Sequence, residues 1–81
     1  MEKLVLYYKP ECPFCQRVLR FMERNEIELP LRDIKHDEGA QEELLELGGI
    51  DMVPMLLIDG QAMYESMDII KYLDENVKGK A

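Results

Sequence analysis

The chain has 81 residues, a formal net charge of -7, 47% apolar residues and 33% charged residues. This composition is typical of a globular protein, and the length suits one domain, residues 1–81, with a modest core. The acidity argues against nucleic acid as a partner, because phosphate binding needs clustered Lys and Arg. No run approaches the roughly 20 apolar residues of a membrane span, and no signal pattern opens the chain. We therefore expect a cytoplasmic monomer without a membrane partner.

The first quarter of the chain predicts a strand and a helix. Residues 3–8 are mostly leucine, valine and tyrosine and end before a lysine and a proline, which indicates a buried strand followed by a loop. Residues 13–25 begin with proline, which is favoured in the first helical turn, and repeat apolar residues at helical spacing. The inward face of this helix is expected to contain Phe14, Val18, Phe21 and Met22, with Leu19 beside them.

The middle of the chain predicts a second strand and a second helix. Residues 29–34 alternate apolar and polar residues after a proline, which favours an edge strand because proline cannot donate to a ladder. A helix should begin near Asp37 and stop at Gly48 and Gly49, since glycine adopts the left-handed conformation common at helix ends. Its inward residues are expected to be Leu44, Leu45 and Leu47.

The last third predicts a hairpin and a third helix. The apolar runs 54–58 and 61–64 flank an Asp-Gly pair, which is a strong signal of a tight turn between antiparallel strands. Ser66 is expected to cap the helix that follows, and Gly79 to mark its end. The inward residues of this helix are expected to be Met67, Ile69, Ile70, Leu73 and Val77.

The order of these elements predicts an α/β fold. One parallel strand pair must be joined through a helix, and one antiparallel pair is a hairpin. With the right-handed crossover that such connections adopt, the result is a four-stranded mixed sheet covered by three helices, in the order β-α-β-α-β-β-α.

Cys12 and Cys15 lie between the first strand and the first helix, and the pattern Cys-x-x-Cys in this position indicates a redox motif. The unpaired N–H groups and the dipole of the helix N-terminus stabilise a thiolate at Cys12. Cys15, one turn further in, is within reach of Cys12. The pattern therefore predicts that Cys12 attacks a disulfide and that Cys15 displaces the sulfur bound in the resulting mixed disulfide.

Two other interpretations of the cysteines are weaker. They could be a buried pair of small apolar residues, but their place before a helix argues against it. A zinc site could draw on the single histidine, His36, yet that makes at most three ligands where structural zinc needs four. We therefore expect no metal site.

Two motifs resemble those of the glutaredoxins, which have the thioredoxin-like fold, and the resemblance covers nearly the whole chain. Residues 9–15, Lys-Pro-Glu-Cys-Pro-Phe-Cys, resemble the family's active-site loop, with Phe14 where many members have tyrosine. Val53-Pro54 is similar to the family's Val-Pro pair, with Met52 in place of the common threonine. In the family this bond is cis and faces the cysteines, and the residue before the proline binds substrate through its backbone. The resemblance implies these roles for Val53 and Pro54.

A third motif, Glu65-Ser66, departs from the Gly-Gly and Cys-Asp-Asp pattern of common glutaredoxins. It is similar to the Glu-Ser segment of glutathione S-transferase N-terminal domains, where the pair holds the γ-glutamyl group of glutathione and the serine starts a helix that favours a carboxylate. By resemblance, Lys9 attracts the glycine carboxylate of glutathione. The implied glutathione site comprises Lys9, Val53, Pro54, Glu65 and Ser66.

The resemblance implies an enzyme that reduces protein disulfides or glutathionylated proteins, with glutathione as a co-substrate and no bound cofactor. Two alternatives stay open. The chain could be an electron donor reduced by thioredoxin reductase, or a glutathione-bound iron-sulfur carrier in which Cys12 of each of two chains is a ligand. A free-standing transferase domain would need a second helical domain, which does not fit in this chain.

Overall fold

A computed structural model describes residues 3–77 of the chain. Within them the elements follow the predicted order, whereas the predicted helix end at Gly79 lies outside the described residues. No helix among residues 3–77 is long and apolar enough to cross a membrane. The elements are strand β1 (Leu4–Tyr8), helix α1 (Pro13–Arg24), strand β2 (Leu31–Asp33), helix α2 (Ala40–Gly48), strands β3 (Met55–Ile58) and β4 (Gln61–Met63), and helix α3 (Ser66–Asn76).

The strands form a mixed sheet in the order β2-β1-β3-β4. Strand β1 pairs in parallel with β2, where Leu6 is opposite Leu31, and antiparallel with β3, where Tyr7 is opposite Met55. Strands β3 and β4 form the predicted hairpin. The edge position predicted for β2 is confirmed, and a proline directly before it supports this placement because it has no N–H to donate.

The core lies on both faces of the sheet, because successive residues of a strand point to opposite sides. Leu6 and Leu56 are fully buried on the face covered by α1 and α3. Their neighbours Tyr7 and Met55 are buried on the other face, against Leu44 of α2. The central strands β1 and β3 therefore join two separate apolar clusters.

In each helix, some residues that were predicted to face inward are exposed. On α1 the buried residues are Cys15, Val18 and Met22, and Phe14 is 56% exposed. On α3 the prediction for Ile69 and Leu73 is confirmed, but Met67 is 61% exposed. Residues next to each other on a helix point about 100° apart, so Phe14 and Met67 cannot share the direction of the buried stripes that start at Cys15 and Ser66.

The prediction for α2 is right for Leu44 and wrong for Leu45 and Leu47, which are both exposed. The helix also begins three residues later than expected, at Ala40. Its inward stripe is Ala40, Leu44 and Gly48, which are spaced four residues apart and so lie above one another. Because Gly48 has no side chain, the end of α2 lies directly against Met55 and Tyr64.

Gly48 should be intolerant of a side chain. A Cβ atom there would lie 2.7 Å from Sδ of Met55 and closer still to the hydroxyl of Tyr64. Alanine normally stabilises a helix relative to glycine by about 1 kcal/mol. We nevertheless expect Gly48→Ala to lower the free energy of unfolding, measured with urea, by about 1 to 3 kcal/mol, because the added methyl group overpacks the core.

A double mutant provides the control. The Tyr64 hydroxyl is buried and has no hydrogen-bond partner among residues 3–77, so Tyr64→Phe alone should cost little. Adding Tyr64→Phe to Gly48→Ala should restore part of the lost stability. Additive effects of the two substitutions would show that the hydroxyl is not the obstacle.

Candidate active site

The two cysteines lie where β1 ends and α1 begins. Cys12 is the N-cap residue of α1, as predicted, and has extended backbone angles. Its N–H donates to the carbonyl of Lys9 at 3.2 Å, and its own carbonyl accepts from the N–H of Gln16 at 3.0 Å. The Gln16 side chain donates to the carbonyl of Pro10 at 2.6 Å. The first turn of the helix thus holds the loop that carries Cys12.

The two thiols differ in exposure, and burial changes the pKa of Cys15. Cys12 is 9% exposed and Cys15 is fully buried, and both are unbonded thiols. Burial raises the pKa of the Cys15 thiol to about 12, because a thiolate there would lose its hydration, and the nearby Cys12 sulfur adds to the effect. Cys15 therefore stays protonated near neutral pH.

The loop before β3 lies directly beside Cys12. The Val53-Pro54 peptide bond is cis, as predicted. Sγ of Cys12 lies 4.0 Å from the carbonyl oxygen of Val53, although the two residues are 41 positions apart. The N–H of Val53 donates no hydrogen bond within residues 3–77. Val53 thus presents a backbone donor and acceptor that β3, which starts at Met55, does not use.

Helix α3 starts one residue earlier than a cap at Ser66 requires. The N-cap is Glu65, whose carbonyl accepts from Ile69 N–H at 3.0 Å, so the prediction of Ser66 as the cap is wrong. Ser66 is instead the first helical residue and is 6% exposed. Its N–H is among the four that have no partner within the helix. Glu65 has φ 70°, a conformation that costs a residue with a side chain about 1 to 3 kcal/mol and is often found at functional sites.

A groove of about 360 Å³ joins these segments. This size is within the range of small-molecule sites. Four of the five residues predicted to bind glutathione line it, namely Val53, Pro54, Glu65 and Ser66. We call it the redox groove. Its remaining lining residues are Phe14, Arg17, Met52 and Met67.

Of these residues, Phe14 and Met67 were predicted to face inward from their helices, and Met52 was considered only as the residue in place of the common threonine. Phe14, Met52 and Met67 are all exposed and border the redox groove. Arg17 connects two of them, with its guanidinium 5.9 Å from the centre of the Phe14 ring and Nη1 3.8 Å from Sδ of Met67. A sequence signal did exist, since residues 14 and 17 are three apart and so lie on one helix face.

Lys9 is not part of the redox groove. It lies on the Cys15 side, where its backbone N–H and its charge both favour ionisation of Cys15 and only partly offset burial. Glu11, next to Cys12, pairs with Lys35 at 2.7 Å, and this hydrogen bond lowers the pKa of the Glu11 carboxyl. Among residues 3–77, no group of three or more His, Cys, Asp or Glu side chains could hold a metal ion.

The sheet order, the helix that begins at a Cys-x-x-Cys pair and the cis-proline loop beside it define a thioredoxin-like protein. The family model for glutaredoxin matches residues 4–63, and the chain therefore belongs to the glutaredoxin family. It is 31% identical to a probable glutaredoxin of Acanthamoeba polyphaga mimivirus, over 86% of this chain and 76% of that protein. A glutaredoxin-type redox function follows from this membership.

Two solved structures illustrate the likeness of the fold. The thioredoxin-like protein BC3987 is 28% identical, with a TM-score of 0.73 over 88% of this chain and 99% of that one. Glutaredoxin 2 of Salmonella typhimurium, solved in complex with glutathione, is 31% identical, with a TM-score of 0.74. That alignment covers 94% of this chain but 34% of the Salmonella protein.

The unequal burial of the thiols predicts unequal alkylation. With iodoacetamide between pH 7 and 10, the native reduced protein should gain one adduct, at Cys12, because Cys15 is buried and stays protonated below its pKa of about 12. Mass spectrometry of the intact and digested protein would locate it. In denaturant both cysteines should react. Equal modification of the two cysteines in the native protein would contradict the burial of Cys15.

Proposed function

We propose that the protein is a glutathione-dependent thiol-disulfide oxidoreductase that reduces protein disulfides and glutathionylated proteins through Cys12 and Cys15. The observation that carries the proposal is the redox groove beside Cys12, which unites Val53, Pro54, Glu65 and Ser66. These residues come from two segments that are distant in sequence. They line one groove, and the Val53 carbonyl oxygen in it lies 4.0 Å from Sγ of Cys12, which supports a site for a ligand that carries sulfur.

The proposed reaction is thiol-disulfide exchange. The Cys12 thiolate attacks the glutathione sulfur of a glutathionylated protein. The protein thiolate leaves and takes up a proton, and glutathione stays bound to Cys12 as a mixed disulfide. A second glutathione thiolate displaces it, which yields glutathione disulfide and free Cys12. With a protein disulfide, Cys15 can instead attack the mixed disulfide, lose its proton and form a Cys12–Cys15 disulfide, which two glutathione molecules then reduce.

The polar groups of the redox groove match the two charged groups of a γ-glutamyl moiety, which are both on its α carbon. Its carboxylate suits the N-terminus of α3, where the Ser66 N–H has no partner within the helix and the helix dipole favours an anion. Its ammonium group suits the exposed carboxylate of Glu65. The unused N–H and the carbonyl of Val53 suit the peptide backbone of the cysteinyl residue. The glutathione complex of the Salmonella neighbour supports a ligand of this kind.

Two variants test the roles of the cysteines. Cys12→Ser should abolish turnover of both glutathionylated peptides and protein disulfides, because it removes the attacking sulfur. Cys15→Ser should lose direct reduction of protein disulfides but keep activity on glutathionylated peptides, where free glutathione resolves the mixed disulfide. Coupled assays with glutathione and glutathione reductase measure both rates. If the two variants behave alike on both substrates, the assignment of roles is wrong.

Substitutions in the redox groove test the glutathione site. Glu65→Gln keeps the side-chain size but removes the charge that would pair with the ammonium group. A hydrogen bond to a charged group contributes about 1.5 to 3 kcal/mol, so KM for glutathione should rise about tenfold or more. Ser66→Ala should have a smaller effect, because the backbone N–H remains.

Thermal melts of both variants separate loss of binding from loss of the helix start. Glu46→Gln is the matched control for Glu65→Gln, since Glu46 is exposed and does not line the redox groove. Assays with thioredoxin reductase in place of glutathione test the alternative electron source. Both variants could show unchanged glutathione kinetics while thioredoxin reductase reduces the protein efficiently. That result would show that thioredoxin reductase, and not glutathione, is the electron source.

A further inference from the structure

A second groove runs along α1, and Ile70 of α3 also lines it. Its volume is about 670 Å³, and three arginines line it: Arg17, Arg20 and Arg24. Phe21 and Ile70 supply apolar lining, and Glu11 lies at the end next to Cys12. We call it the arginine groove. It meets the redox groove at Arg17, which lines both.

The arginine groove is a local concentration of positive charge on an acidic chain. The chain has 10 Lys and Arg against 17 Asp and Glu. None of the three arginines is in an ion pair among residues 3–77, where the ion pairs are formed by Arg32, Lys35 and His36. The carboxylate at the end of the groove, Glu11, is paired with Lys35. Arg20 and Arg24 are therefore free to meet an anionic partner, whereas the Arg17 guanidinium also contacts Phe14 and Met67.

The spacing of the arginines suits an extended peptide. Residues 17, 20 and 24 are three and four apart and lie along one helix face. At 1.5 Å per residue, Arg20 lies about 12 Å and Arg24 about 18 Å along α1 from Cys12. An extended chain advances about 3.3 Å per residue, so these distances correspond to about four to six residues. A peptide attached by its cysteine to Cys12 would reach both.

We propose that the arginine groove binds an acidic segment, about four to six residues from the target cysteine, in the proteins that this enzyme reduces. The inference rests on the proposed function and names its substrate class. A short acidic segment meets mainly charges within a Debye length of about 8 Å, and the lining of the groove holds three arginines against one carboxylate, Glu11, which is paired with Lys35. A long polyanion such as nucleic acid would also meet the acidic remainder of the chain.

The test compares glutathionylated peptides that carry the modified cysteine, a three-residue neutral spacer, and then four Glu, four Gln or four Lys. With wild-type protein at 20 mM salt, kcat/KM should be highest for the Glu peptide and lowest for the Lys peptide. Arg20→Glu together with Arg24→Glu should lower kcat/KM for the Glu peptide about tenfold and leave the Gln peptide unchanged. At 200 mM salt most of the difference should vanish, because exposed charges are screened.

A matched control changes the net charge equally at another place. Lys3→Glu with Lys71→Glu removes two positive charges from exposed positions outside the arginine groove. It should leave the preference for the Glu peptide intact. If kcat/KM for the Glu peptide falls as much in this control as in the arginine variant, overall charge explains the preference and the proposal is overturned.

A binding measurement separates this inference from the proposed enzyme activity. Fluorescence anisotropy of the same peptides, with serine in place of the modified cysteine, is recorded against the Cys12→Ser protein and against Cys12→Ser with the two arginine substitutions. If the Glu peptide binds more strongly and this depends on the arginines, the proposed role of the arginine groove is supported even if no turnover is found. Turnover without any preference among the peptides overturns that role but leaves the proposed enzyme activity standing. Displacement of the Glu peptide by a short oligonucleotide of equal charge at lower concentration would favour nucleic acid instead.

Discussion

The antiparallel register of β1 against β3 is the constraint on which the rest of the structure depends. Tyr7 lies opposite Met55, so the chain that leaves β1 toward Cys12 passes the chain that enters β3 from Val53 and Pro54. A slip of one residue would turn the buried set of each strand to the opposite face. It would also shift the cis-proline loop by about 3.3 Å along β1. The two core clusters and the redox groove thus depend on one set of strand pairs.

The features that were predictable from the sequence are those set by local rules. The order of the elements, the edge position of β2 and the N-cap position of Cys12 followed from proline and from the period of apolar residues. The hairpin turn is another case, because Asp59 and Gly60 both have positive φ, at 47° and 88°, which an Asp-Gly pair tolerates well. Each of these features depends on residues that are close in sequence, and no knowledge of packing is needed to find them.

The apolar residues that line the redox groove were not predictable in the same way. The apolar pattern assigns Phe14 and Met67 to the core, whereas both are exposed and border the redox groove beside Arg17. A binding groove needs accessible apolar surface, so the periodicity rule fails at functional positions in particular. The start of α3 is a similar case, because the positive φ of Glu65 moves the helix boundary by one residue.

Cys15 is fully buried, and in the proposed cycle this burial sets which sulfur acts second. The attacking form is the thiolate, and burial keeps Cys15 in the thiol form near neutral pH. In the proposed cycle, a glutathione mixed disulfide at Cys12 is resolved by the thiolate of a second glutathione, which does not require Cys15 to lose its proton. In a mixed disulfide with a protein, Cys15 lies one helical turn from the bonded sulfur and attacks it once its proton has been transferred. In that cycle the same pair of cysteines follows two routes, according to whether glutathione or a protein is bound to Cys12.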